Sequence, residues 1–99
     1  KTRGYIRDTY INWSFEYLDN KNWELSLEKL SEAMEWTDSE EDKEEMAGYI
    51  FNTYHKWALF HVSREEKLRA LEIYRKCGEL YPQLMDKCLI EEKRIKRGL

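Results

Sequence analysis

The side chains most able to do chemistry in this 99-residue chain are two histidines, two cysteines and a run of carboxylates. His55 and His61 lie six residues apart, so on one helix they point in different directions. No second histidine stands beside a cysteine, and no metal site is expected. Cys77 and Cys88 show no CxxC spacing and have no evident base, which argues against nucleophilic catalysis. They read as reduced core residues of an intracellular, cytoplasmic protein, with a disulfide between them as the open alternative. Glu40, Glu41, Asp42, Glu44 and Glu45 crowd one short stretch, as expected at a helix N-terminus, where the helix dipole favours negative charge. The basic tail Lys93-Arg94-Ile95-Lys96-Arg97 has the charge to touch phosphates, but cations at a helix C-terminus are ordinary. No Gly-rich phosphate loop exists. The chemistry-bearing residues therefore predict no enzyme, no cofactor and no metal, with RNA binding through the basic end kept as a rival that predicts affinity falling steeply as salt rises.

The chain has one Pro and four Gly, too little turn punctuation for a β-rich fold, and its charged content leaves no run near membrane-spanning length. Glu, Lys, Leu and Arg are good helix formers, so an all-α domain is expected. Charge is uneven. Residues 1–50 carry 6 basic and 13 acidic side chains, whereas residues 51–99 carry 11 and 7. Such asymmetry can steer charged partners, although solvated helix faces also produce it. No signal peptide is visible, but residue 1 is Lys and not Met, so this carries little weight.

Five helices are predicted. The first covers residues 2–19, with Ile6, Tyr10, Trp13, Ser14 and Tyr17 on its inner face. The second runs from Trp23 to Thr37 and buries Leu27, Leu30, Ala33 and Met34. Ser39 caps a long third helix whose buried stripe is Ile50, Tyr54, Trp57, Ala58 and His61. Glu45, Asn52, Lys56 and Ser63 mark its wet back. Ser63, with Glu66, is expected to cap a fourth helix from Arg64 to Leu80 that buries Leu68, Leu71, Tyr74 and Cys77. Pro82 separates it from a fifth, residues 83–96, with Leu84, Cys88, Leu89 and Ile95 inward.

The sequence also matches itself at an offset of 44. Gly4-Tyr5-Ile6 falls on Gly48-Tyr49-Ile50, Thr9-Tyr10 on Thr53-Tyr54, Trp13 on Trp57, and Leu27-Glu28 on Leu71-Glu72. This predicts two tandem helix-turn-helix units, about 2–38 and 39–82, and a last helix over 83–97. The register begins part-way along one unit and ends inside the next, as in a piece of a longer repeat protein. A basic fifth helix that serves as the solvating cap is the alternative.

The spacing Tyr54-x2-Trp57-Ala58-x2-His61, then Ala70-x3-Tyr74-x2-Cys77-x4-Pro82, resembles the tetratricopeptide repeat. Tyr10, Trp13, Ser14, Tyr17, Ser26, Leu30, Ala33 and Asp38 follow the same pattern in the first unit. Small residues (Ser14, Ser26, Ala33, Ala58, Ala70, Cys77) would let helix axes approach closely while aromatics fill the space between. The chain departs from the family in its 44-residue period, in Ser14 and Ala58 where Gly is usual, and in Asp38 where Pro would close the first unit. The half-a-TPR repeat of RNA-processing scaffolds is the competing resemblance.

The resemblance implies a right-handed α-solenoid that acts as a non-catalytic protein–protein interaction scaffold. Its concave groove would be lined by Asp8, Ile11, Phe15 and Leu18 from the first unit and by Asn52, His55, Leu59 and Val62 from the second. Family members that grip a terminal carboxylate place polar residues where Ile11 and Phe15 stand here, so an apolar peptide or amphipathic helix fits better. Homo-oligomerisation, or a regulatory role in a larger multidomain protein, is the alternative function. No membrane partner is expected.

Overall fold

The computed structural model describes residues 2–98. They form five α-helices, with no strand among them: α1 (Thr2–Asp19), α2 (Trp23–Glu35), α3 (Glu40–Ser63), α4 (Lys67–Leu80) and, after a 3-10 turn at Pro82–Leu84, α5 (Met85–Gly98). Two compact units divide the chain, Lys1–Thr53 and Tyr54–Leu99, the division falling within α3 and not at the 38/39 boundary of the sequence repeat.

In the first unit α1 and α2 form a hairpin whose core is Ile11, Ser14, Leu18, Ser26, Leu30 and Ala33. The small residues do what their size allows. Ser14 and Ser26 are both fully buried, and the Ser26 hydroxyl donates across the hairpin to the Ser14 carbonyl at 2.9 Å. The Ser14 hydroxyl is itself spent on the Ile11 carbonyl, 2.6 Å away within α1. α3 begins as its sequence predicts: the Asp42 amide donates to the Ser39 hydroxyl at 3.0 Å, and Glu40, Glu41 and Asp42 occupy the first turn.

In the second unit Ala58 and Ala70, the 44-residue counterparts of Ser14 and Ser26, are again fully buried. Tyr54, Leu71, Ile73, Tyr74 and Cys77 are buried in the same unit, as are Leu84 of the 3-10 turn and Cys88 of α5. α4 and α5 meet at Gly78, where a Cβ would stand 3.5 Å from the Met85 Cα. Pro82 opens the 3-10 turn, a position where its missing N–H leaves no bond unmade.

The repeat extends to the turns. Lys21 and Glu65, 44 residues apart, each have φ of 61° and are the non-glycine residues with positive φ among those described. At both, the left-handed residue donates to the carbonyl three positions back and its successor to the carbonyl five back. These bonds are Lys21→Leu18 at 3.0 Å and Asn22→Tyr17 at 2.8 Å, then Glu65→Val62 at 2.9 Å and Glu66→His61 at 2.8 Å. Both hairpins therefore close with a Schellman motif, but without the glycine that usually supplies it. Placing an L side chain there costs about 1–2 kcal/mol, partly offset by the freedom that glycine would add to the unfolded chain. Lys21→Gly and Glu65→Gly are each expected to raise stability by about 0.5–1 kcal/mol. The check is a higher urea midpoint at unchanged slope.

Several expectations need correction. Ser63 does not cap α4: it is the last residue of α3, and its hydroxyl donates to the Phe60 carbonyl at 2.7 Å. α2 stops at Glu35, two residues early, where the Trp36 and Thr37 amides turn back to Ala33 and Met34. Leu68, expected inside, is 71% exposed because the buried residues of α4, Ala70, Leu71, Ile73, Tyr74, Cys77 and Gly78, centre on the side facing away from it. Leu89 is exposed for the same reason on α5. On α1 the buried stripe is rotated: Ile11 and Leu18 lie inside and Trp13 lies at the edge.

Candidate functional site

That rotation redraws the surface implied by the resemblance. Ile11 and Leu18, expected to line the groove, are only 6% and 8% exposed. Asp8 is exposed and paired with Arg7 at 3.1 Å; Arg7 also reaches Asp42 at 2.8 Å, and the two carboxylates raise the guanidinium pKa further. Asn52 is exposed, and Val62 is half-buried. Phe15 and Leu59, at equivalent positions of the repeat, are both open to solvent, 37% and 46% exposed. Phe15 is steadied from one side by Tyr49, whose ring meets it edge to face with centroids 5.3 Å apart.

His55 is half-buried in the second unit, where its Nδ1 and the Tyr74 hydroxyl share a hydrogen bond of 2.6 Å. Burial pushes the Tyr74 phenol above the ordinary tyrosine range. The phenol therefore keeps its proton at neutral pH, and which partner donates is set by the imidazole tautomer. His61 is half-buried against Phe60 and accepts a role no helical spacing shows. Its Nδ1 lies 2.8 Å from Glu66 Oε1, across the Schellman turn, and this bond holds the Glu66 carboxyl below its usual pKa.

Cys77 and Cys88 are both free and buried where α4 meets α5. Desolvation first, and then their mutual contact, pushes the Cys77 thiol up, and desolvation raises Cys88 too. Protonated buried thiols are poor nucleophiles. Among the described residues no group of three or more His, Cys, Asp or Glu side chains is placed to hold a metal ion. No buried side-chain nitrogen or oxygen among them lacks a hydrogen-bond partner, so the core holds no polar group waiting for a ligand.

Aromatic rows also repeat. Tyr10, Trp13 and Tyr17 stack along α1 with centroids 6.4 and 6.5 Å apart, and Tyr54 and Trp57 stack in α3 at 6.2 Å. The two rows are covered differently. Lys29 Nζ sits 4.2 Å from the Trp13 ring centroid, whereas the counterpart of Lys29 is the buried Ile73. Beside Trp57, a surface depression of about 620 Å³ runs along α4 past Arg69, Glu72, Ile73, Lys76 and Leu80. Sequence reasoning missed it because attention to the first helix of each unit left the outer face of the second unread. A signal was available in the alternation of Arg69, Ile73 and Lys76 at helical spacing.

No protein-family model, curated protein or solved structure matches the chain. No helix of the described residues is long and apolar enough to cross a membrane.

Proposed function

We propose that this chain is a non-catalytic protein-interaction module of tetratricopeptide-like type, which offers exposed apolar side chains on the first helix of each hairpin to a peptide or partner helix. The observation that carries this reading is the paired exposure of Phe15 and Leu59, one repeat apart. Apolar side chains repeated where solvent would otherwise select polar ones mark an interaction surface. The repeated turn at Lys21 and Glu65, and the repeated small pairs Ser14/Ser26 and Ala58/Ala70, support a duplicated helical hairpin beneath it. Each hairpin holds its own exposed side chain in place before a partner arrives, which lowers the entropic cost of binding. His55 is tied to Tyr74 and so serves the hairpin; Asp8 and Asn52 supply a polar rim.

The test is a photo-crosslinking amino acid placed at position 15 or 59, with position 31 on the exposed side of α2 as control. Positions 15 and 59 are expected to label the same protein partner, and position 31 none. Phe15→Asp together with Leu59→Asp should abolish the adduct captured by a crosslinker at position 52. Labelling that is equal at all positions, or that survives the double substitution, rejects these side chains as binding residues.

A further inference from the structure

The first and last helices of the chain carry outward faces of opposite character. On α1 the exposed side is aromatic and acidic: Tyr5 is 75% exposed, and Asp8, Glu16 and Asp19 are exposed around it and Asn12. Arg7 of the same helix is engaged by Asp8 and Asp42. On α5 the exposed side is aliphatic and basic. Leu89 and Ile90 are 44% and 53% exposed, among the exposed cations Lys93, Arg94, Lys96 and Arg97. Of the carboxylates of α5, Asp86 is exposed in the first turn, and the other two are engaged by arginines. Glu92 is buried and meets Arg75 at 3.2 Å, and the part-buried Glu91 meets Arg94 at 3.3 Å.

Charge follows the same division over whole units. Residues 1–53 carry 6 basic and 13 acidic side chains, and residues 54–99 carry 11 and 7. We propose that copies of this chain bind one another through a heterologous contact, with the outward face of α5 in one copy seated on the outward face of α1 in another. Leu89 and Ile90 meet Tyr5 and its neighbours, and Lys93 and Arg97 meet Glu16 and Asp19. Electrostatics selects this pairing over the symmetric ones: two α1 faces would bring acid against acid, and two α5 faces cation against cation, each disfavoured. Because the two faces differ, the contact is heterologous, and each copy brings one face of each kind.

Light scattering of the 99-residue chain reads the result directly. At about 0.05 M salt the mean mass should rise above the 12.2 kDa of one chain as concentration rises, and at about 1 M salt, where the screening length is about 3 Å, it should return to that value. Lys93→Glu/Arg97→Glu and Glu16→Lys/Asp19→Lys, all on exposed positions, should each weaken association about tenfold or more. An equimolar mixture of the two variants should regain association, since in it both the intact faces and the two charge-reversed faces are complementary. That result also shows that neither variant has lost its fold. A monomeric chain at both salt concentrations overturns the proposal, as does association that ignores both charge pairs or variants that fail to pair when mixed. Binding of the monomeric chain to phosphatidylserine vesicles, or to a single-stranded oligonucleotide, through Lys93 and Arg97 also overturns it and gives the α5 face to phosphates.

Discussion

Ala70→Leu is expected to destabilise the chain by about 3 kcal/mol, near the top of the range for overpacked cores. Ala70 is fully buried, and so is Ala58, its partner in the pattern. The closeness of the helices at this level is measured in the other hairpin, where the Ser26 hydroxyl reaches the Ser14 backbone carbonyl at 2.9 Å. A leucine in such a position has backbone, not a movable side chain, in front of it, and the interior is already close-packed. Relief requires that the second hairpin open. Ala70→Ser provides the contrast. The first hairpin shows that a serine fits at this level and finds a carbonyl across the hairpin, so its cost should stay within about 1 kcal/mol. Urea unfolding of the two variants separates these outcomes. Equal midpoints would mean that helix approach is not what these small residues provide.

The six small residues singled out in the sequence (Ser14, Ser26, Ala33, Ala58, Ala70 and Cys77) are all fully buried. They were legible because closeness between helix axes is a steric demand that few side chains meet. The helical class, the N-cap at Ser39 and the 44-residue period were legible for similarly local reasons. The rotation of α1 was not. Its sequence offers two candidate stripes about one residue apart, Ile11-Ser14-Leu18 and Tyr10-Trp13-Tyr17, and apolarity alone does not choose. The aliphatic stripe goes inside because the three aromatics can cover one another by stacking and accept the Lys29 ammonium on their outer side. The same ambiguity placed Ile11 and Leu18 on the candidate surface when they belong to the core. The turns were illegible for a different reason. Lys21 and Glu65 adopt a conformation that normally announces itself as Gly, so the Schellman closures left no letter to read. Once α3 is taken through Ser63 to that closure, the His61–Glu66 contact follows from backbone geometry, not from helix spacing.

Tyr74→Ala is expected to have the largest effect of any single truncation, about 3–5 kcal/mol, the range for deleting a large buried aromatic side chain. Tyr74 is the largest of the fully buried side chains, and its ring lies 6.0 Å from that of His55. Removing it opens a void between α3, α4 and α5 within the second unit and strips His55 of its 2.6 Å partner. Tyr74→Phe keeps the volume and loses only the hydroxyl, so it should cost about 1 kcal/mol, because half-buried His55 can turn to water. The phenylalanine variant also carries a pH signature. Burial holds the Tyr74 phenol above the ordinary value of 10.0, so above that pH the unfolded chain gives up a proton that the folded chain retains. The stability tied to this group is complete below the unfolded pKa and falls as pH rises past it toward the folded one. Tyr54, raised by burial as well, adds to the same alkaline loss. The urea midpoint of Tyr74→Phe should therefore fall less steeply above about pH 10 than that of the parent chain. Parallel slopes for the two would show that the Tyr74 hydroxyl is hydrated in the folded state, and the hydrogen bond to His55 would then not be what orders the second hairpin.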